Sequence, residues 1–580
     1  MPNRRSRALA ALTALVVIGL LASTAEPAQQ SARQSAQQSA RQFAHQPEQR
    51  RTPRAPPVTG SATLGPALGE QTRPNIVVIM ADDMREDDLR FMPRTRALLG
   101  DQGVRFANSF SPHPMCCPAR ASFVTGKYTH NHGVWSNRGA YGGFHRLDDS
   151  DTMPVALSAV GYDTVFLGKY LNGYGLSPLP DGSPSETYVP PGWTDWRGSA
   201  RRTYQYFQTT LNINGTLRAN PGWYQTRMLG AETEDILSAQ ARSPRPFFLW
   251  ASYIAPHIGK PPEKDDPLPV ERTDGAYSRF PTPAVPADVR GMFDETITRA
   301  PGQDGEDDVS DKPFYLRNLP QIARDELASL AEVVRQRAES LEVLDREVEL
   351  TVDALDRTGE LDDTVLMFTA DNGYFLGEHR IRQGKLLPYE PALRVPLLVR
   401  GPGIPAGEVR NDPVLSIDFA PTFLELSGAQ PDPAHDGQSF LDPARPSDLT
   451  HDSGWDRVIL TETGPRKLKK VTRTGTLPPG ADAVRFTQGA RTRRYLYVEH
   501  ATGERELYDQ RSDPGQLDSI VEDRRAEPIV EKMAALLARL RDCAGEECRA
   551  PSPHFVDRLT VAGAERDRPR RNGSGRVRPD

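Results

Sequence analysis

With 580 residues, the chain is long enough for one large domain plus a smaller one, or for two of medium size. Its net charge of −6, with basic residues dispersed through the globular part and gathered only in a C-terminal arginine-rich run, excludes nucleic acid as the expected partner. A hydrophobic share of 37% beside 52 prolines points to a globular core with many loops and some disordered ends.

Arg4, Arg5 and Arg7 precede a short apolar run, Ala8–Ala22, and small residues follow as far as Ala25. This predicts an export signal over residues 1–25, cleaved after the small residues. A membrane anchor is the competing reading of a run near the lower limit for spanning, and the small-residue site directly behind it favours cleavage. The pair Arg4-Arg5 loosely fits a twin-arginine signal. No other segment is apolar enough to span a bilayer, so the mature protein is expected to be secreted or extracytoplasmic, without stable membrane association. Residues 26–72 are low-complexity Gln, Ala, Arg and Pro with little to bury, and read as a disordered leader.

Next comes a continuous apolar run, Ile76–Met80, that stops at Asp82 and Asp83. Runs of this kind belong to strands buried on both faces of a parallel sheet covered by helices. Tyr162–Tyr170, Arg245–His257, Asp363–Gly373 and Arg394–Gly403 repeat the pattern, each ending in polar, glycine or histidine residues. Helical periodicity lies between them, most clearly over Asp325–Gly359, and the alternation predicts an α/β fold built on a large, mainly parallel sheet sandwiched by helices. Ligands of such sheets collect at the carboxyl ends of the strands, where the aspartates, His257 and Asp371 fall. The Pro- and Asp-rich stretch Gly259–Pro320 reads as an insertion that caps the site. From about Asp452 short strand-like pieces follow closely, and an amphipathic helix comes after them. They predict a smaller antiparallel sheet packed with a helix.

Asp82, Asp83, Asp371 and Asn372 offer only oxygen, from two strand ends that a parallel sheet can bring together. That donor set suits a hard divalent cation. Either motif alone reads as a strand-terminating turn; the two together, beside the cysteine motif, do not. Cys543 and Cys548 lie close together across a glycine-containing turn and are expected to pair as a disulfide. Cys116 and Cys117 remain, and adjacent residues bridge only through a strained ring. No CxxC spacing supports a zinc site or a redox pair.

The run Cys116-Cys117-Pro118-Ala119-Arg120 fits the C-x-P-x-R signature of the type I sulfatases, and the downstream "TGKY" fits as well. The chain resembles that family from about Arg73 to Cys548, through "NIVVIMADD", "LGKYLNGYG", "APH", "TADNGYFLGEH", "GKLLPYE" and "VPLLVRGPGI". The doubled cysteine, "GKYTHNHGV" and "DNGYFLG" look most like the N-acetylglucosamine-6-sulfatase and extracellular heparan endosulfatase branch. The resemblance implies an alkaline-phosphatase-like fold with a catalytic domain over residues 73–450, a smaller α+β subdomain over 451–560 and a disordered tail over 561–580.

It also implies that a separate formylglycine-generating enzyme, as a transient partner, oxidises Cys116 to Cα-formylglycine (3-oxoalanine). Hydration of that aldehyde puts two hydroxyls on one carbon: one attacks sulfur, and the other later re-forms the aldehyde as sulfate leaves. By the same resemblance Asp82, Asp83, Asp371 and Asn372, with residue 116, look like ligands of calcium in preference to magnesium. Lys169 and Lys385 look like the lysines that grip sulfate, His257 like the group that protonates the leaving oxygen or contacts the sulfate, and Arg120 like the partner of the diol. Many members carry a histidine two residues past the first lysine. Here that position is Leu171, and the neighbouring Asn172 is a candidate for contacting the diol or sulfate. His379, as readily explained as a loop histidine with a structural hydrogen bond, is a further candidate, and so is the pair His130 and His132, for which that structural explanation is the better one.

The function expected is hydrolysis of a sulfate monoester, of a sulfated carbohydrate such as a glucosamine 6-sulfate in a glycosaminoglycan, or of an aryl sulfate. Hydrolysis of a phosphomonoester, phosphodiester or phosphonate by the same apparatus is the alternative. A non-catalytic binder of sulfated glycan would require an unmodified Cys116 or a broken metal site. The high Arg, Ala and Pro content suggests a bacterial source.

Overall fold

The computed structural model describes residues 73–549 apart from 305, 431, 442–454, 456 and 466–484. The expected export signal, leader and C-terminal tail, and the boundary at 450/451, lie outside the described residues. Ten strands form the main sheet: β1 (Asn75–Ala81), β2 (Val104–Phe110), β3 (Asp163–Gly168), β4 (Asp195–Arg201), β5 (Thr210–Ile213), β6 (Thr216–Ala219), β7 (Phe247–Ser252) and, after a two-residue pair β8 (Val270–Glu271) and β9 (Tyr277–Ser278) that stands apart, β10 (Thr364–Ala370), β11 (Leu397–Arg400) and β12 (Glu408–Leu415). The order across the sheet is β12-β2-β11-β10-β1-β7-β3-β4-β5-β6.

From β10 through β1, β7 and β3 to β4 every pairing is parallel. The edge pair β2 and β12 is also parallel, whereas β5 and β6 fold on as an antiparallel hairpin. One strand departs from the pattern expected for its apolar run: β11 is antiparallel to both β10 and β2. The cause lies in the connection. The chain leaves β10 at its carboxyl end and stays at that edge through Lys385, so when it re-enters the sheet it must run back.

The central strand shows why these runs are apolar throughout. Successive side chains of a strand point to opposite faces. Ile76, Val78 and Met80 therefore feed one core, and Val77, Ile79 and Ala81 feed the other. The first core is closed by α1 (Cys116–Thr125), α2 (Met153–Ala159) and, after the last strand of the main sheet, a short helix from Phe419 to Leu426, through Phe123, Leu157, Phe419 and Phe423. The second is closed by α3 (Gln225–Gln240) and the 35-residue α4 (Arg324–Thr358), which contribute Met228, Leu237, Leu341, Leu344, Val348 and Leu355. The Gly259–Pro320 segment packs along α4, where Ser278 meets Glu326, Gly291 meets Glu339 and the Ile297 carbonyl meets Arg335.

Beyond the main sheet, β13 (Ile459–Thr463), β14 (Thr487–Arg491), β15 (Tyr495–His500) and β16 (Arg505–Asp509) form an antiparallel meander. The amphipathic helix Glu527–Leu540 lays Ile529, Met533, Leu537 and Leu540 against it.

Candidate active site

β10, β1, β7 and β3 are neighbours and run parallel, so their carboxyl ends open on one stretch of sheet edge. Each strand gives way to polar residues there: Asp371-Asn372 after β10, Asp82-Asp83 after β1, His257 five residues past β7, and Lys169 directly after β3. The approach of Lys169 needs the glycine before it. Gly168 has φ +98°, and a Cβ there would lie 2.0 Å from the Ser252 carbonyl oxygen. Asp83 takes the left-handed backbone conformation (φ 64°) that L-residues rarely adopt, and its N–H is held by Asp371 Oδ1 at 3.1 Å.

Cys116 opens α1 and is fully buried. Its thiol lies 3.4 Å from Asp82 Oδ1 and 3.9 Å from Asp83 Oδ1, and Lys385 Nζ donates to its sulfur at 2.7 Å. One oxygen each of Asp82 and Asp83, Cys116 Sγ and a ring nitrogen of His257 lie within 4.8 Å of one another. Three buried acids are matched by three bases, Lys169 and Arg120 buried and Lys385 partly so: Lys169 with Asp82, Lys385 with Asp83, and Arg120 with Asp371. Arg120 also donates to the Lys169 carbonyl at 2.8 Å and to Ser252 Oγ at 2.5 Å.

Burial opposes each of these charges, and the partners decide the outcome. Against it, Lys169, with His257 and Arg120, holds the Asp82 carboxyl at about 2, and Lys385 with His257 holds Asp83 below the usual range. Burial, with Asp82 adding to it, pushes the Cys116 thiol up. As cysteine, residue 116 is a protonated thiol and a poor nucleophile. Burial pulls His257 below its ordinary value although Asp82 and Asp83 work the other way. Its Nδ1 is 2.7 Å from the Ile258 carbonyl, which can only accept, so Nδ1 carries a hydrogen and Nε2 faces Asp83 Oδ2 at 3.6 Å.

The donor set fits a hard divalent cation. Asp82 and Asp83 are buried hard donors, and the buried Asn372 Oδ1 has no hydrogen-bond partner among the described residues, its Nδ2 donating to Asp83. Asp371 is turned differently: Oδ2 takes Arg120, and Oδ1 accepts from the N–H groups of Asp83 and Asn372. Position 116 likewise fits an oxygen-bearing side chain. It sits at a helix N-terminus beside Lys385, and Arg120 Nη2 is a buried donor without a partner among the described residues.

The other expected residues go elsewhere. Leu171 is in the core, and Asn172 Nδ2 donates to the Tyr204 hydroxyl at 2.8 Å. His379 is held by Glu306 at 2.9 Å and packs on Tyr389, which among the described residues places it away from the carboxylate cluster. His130 bridges Glu462 and the Cys543 carbonyl, and His132 meets Ser122. Cys543 and Cys548 form the expected disulfide. Sequence reasoning missed Ser252, which supports Arg120; Arg337, which donates to the Asp83 carbonyl at 2.7 Å; Asn137, which accepts from the Cys117 N–H at 2.9 Å; and Tyr204. Neither motif nor periodicity marks any of the four.

The mainly parallel α/β sheet thus carries paired acids and bases around one buried cysteine at its strand ends, an arrangement suited to hydrolysis of oxyanion esters. Residues 74–429 match the Sulfatase family model. An arylsulfatase of Volvox carteri is 32% identical over 528 residues, covering 85% of this chain and 78% of that protein. An N-acetylglucosamine-6-sulfatase of Capra hircus is 31% identical over 525 residues, covering 84% and 86%. A solved structure described as a complex with its substrate D-glucosamine-2-N,6-O-disulfate shares the fold, with a TM-score of 0.58, 20% identity, and coverage of 82% of this chain and 98% of that one. The chain belongs to the sulfatase family, and the sulfuric ester hydrolase reading stands over the phosphorus alternatives. Among the described residues no helix is long and apolar enough to cross a membrane.

Proposed function

We propose that the protein is an exported, calcium-dependent sulfatase that removes sulfate from a glucosamine 6-sulfate unit of a glycosaminoglycan, with Cys116 matured to formylglycine by a separate enzyme. The observation that carries this reading is the setting of Cys116: buried among Asp82, Asp83 and Lys385 at a helix N-terminus, where a thiol is held protonated. The names of the goat relative and of the ligand in the solved complex support the sugar.

Asp82, Asp83, Asp371 and Asn372 would hold the cation. When bound, calcium and the hydrated aldehyde would supply a polarised sulfate and an oxygen nucleophile with a second hydroxyl for sulfate release. This chain's own residues do the rest. Lys169 and Lys385 place two fixed ammonium groups where charge builds on the sulfate oxygens. Arg120 stays charged and steadies the carboxylate side of the site. His257 presents Nε2 to the reacting centre with Nδ1 anchored, and in its imidazolium form, with both ring nitrogens protonated, it would pass the Nε2 proton to the leaving sugar oxygen. Asn172 is kept as a candidate for contact with the substrate, whereas His379 is buried against Glu306 and Tyr389.

Peptide mass analysis of the digested protein tests the nucleophile directly. The peptide spanning Cys116 is expected to carry an aldehyde in place of the thiol, and Cys116→Ala is expected to abolish sulfate release. A fully active preparation that retains an intact cysteine at 116 would overturn the reading. A panel of 4-nitrophenyl sulfate, glucosamine 6-sulfate and sulfated polymers, with and without chelator, separates the substrate from the chemistry.

A further inference from the structure

We propose that Tyr204 is a positioning residue for the sulfatase reaction, fixing the His257 imidazole and the Lys169 ammonium against each other. The inference rests on the reading of His257 as the group that protonates the leaving oxygen. Tyr204 stands in the loop between β4 and β5, outside every motif that marks the site. Its ring stacks on His257 with centroids 4.5 Å apart and planes at 28°, and Lys169 Nζ lies 5.1 Å from the centre of the same ring. Its hydroxyl accepts from Asn172 Nδ2 at 2.8 Å. One side chain therefore touches three residues that leave two different strands.

The loop that carries Tyr204 is clamped to the loop that carries His257. The Lys260 N–H donates to the Tyr204 carbonyl at 2.9 Å, and the Tyr206 N–H donates back to the Lys260 carbonyl at 2.8 Å. Gln205 between them forms an isolated parallel bridge with Lys260. Tyr206 also turns toward this loop, and its hydroxyl donates to the His257 carbonyl at 2.8 Å. Tyr206 is wholly buried and stacks on Tyr224, which makes it the fixed end of the clamp. Gly259 permits the approach, since a Cβ there would meet the Tyr206 ring at 2.5 Å. Without the Tyr204 ring, the Ile258 carbonyl still fixes the Nδ1 hydrogen, but among the described residues no other ring stacks on the imidazole to hold its plane.

The consequence is a leaving-group signature. A misaligned acid matters most when the departing oxygen is basic. The test uses the full-length, matured, calcium-loaded enzyme with phenyl sulfate and 4-nitrophenyl sulfate, comparing Tyr204→Leu, Tyr204→Phe and His257→Ala. Tyr204→Leu is expected to lower kcat on phenyl sulfate by about ten- to a hundredfold with KM little changed, and to lose much less on 4-nitrophenyl sulfate. The urea midpoint should be unchanged, and Tyr204→Phe, which keeps the ring, should recover most of the rate. His257→Ala should show the same selectivity with a larger loss. If His257→Ala discriminates between the substrates and Tyr204→Leu does not, or if Tyr204→Leu keeps full rate on both, the positioning role is overturned. If His257→Ala loses equally on both substrates, the acid reading fails and this inference falls with it.

Discussion

Arg120 Nε lies 2.8 Å from Asp371 Oδ2, with both side chains wholly removed from solvent. The pair joins α1, the helix that Cys116 opens, to the end of strand β10, and Arg120 reaches on to the Lys169 carbonyl and Ser252. Removing one partner of a buried pair strands the other charge. Arg120→Met is therefore expected to cost about 3–5 kcal/mol of stability besides abolishing activity, measured as the shift of the urea unfolding curve. Arg120→Lys should recover only part of this, because an ammonium cannot reproduce the guanidinium's several fixed donors.

Lys385 touches both Asp83 and Cys116, which gives its removal two effects of opposite sign. Lys385→Ala should lower kcat/KM for sulfate release by about 10²–10³ through loss of a fixed cation facing the transferring group. The same change frees Asp83 from its ammonium partner, so calcium should bind several-fold more tightly, read by calorimetry on the purified variant. Tighter metal with lost turnover separates this role from a collapse of the site.

Much of this arrangement was legible in the sequence because buried parallel strands write themselves as apolar runs, and polar residues at their ends mark the edge where a site forms. Asp82, Asp83, His257 and Asp371 were located that way, and Cys116 by a motif. Strand direction was not legible, since β11 is as apolar as its parallel neighbours and its reversal is set by the path of the chain past Lys385. Nor was Tyr204, whose partners lie from 32 to 53 residues away and meet it only once β3, β4 and β7 are assembled. His379 shows the converse. It sits close to the Asp371 motif in sequence, yet its loop carries it to Glu306.

The disulfide fastens the end of the small subdomain. Cys543 and Cys548 are five residues apart, and the Cys543 carbonyl accepts from His130 Nε2 at 2.8 Å and Asn131 Nδ2 at 2.9 Å. Closing so short a loop restricts the unfolded chain by about 2 kcal/mol. The double change Cys543→Ala, Cys548→Ala should lower unfolding stability by that amount while leaving turnover of surviving folded protein intact. Comparing oxidised and reduced wild-type protein in the same denaturant series gives an independent reading.

Two acids on α4 give the fold a pH dependence that belongs to no catalytic group. Burial raises Glu339 and Glu347 from 4.5 to about 7. Glu339 Oε1 accepts from the Gly291 N–H at 2.6 Å, whereas its Oε2 is buried without a partner among the described residues. The Glu347 carboxyl is wedged against α3, where a Cβ on Gly230 would meet its Oε2 at 1.8 Å. Both groups hold a proton more tightly in the folded chain than in the unfolded one. Their contribution is therefore fully present below pH 4.5 and is lost as pH rises to about 7. Glu347→Gln keeps the shape and removes the titration. It should flatten the fall in urea stability between those pH values and leave the variant more stable than wild type at pH 8, by on the order of 2 kcal/mol. A wild-type slope unchanged by the substitution would mean that Glu347 is ionised in the folded protein.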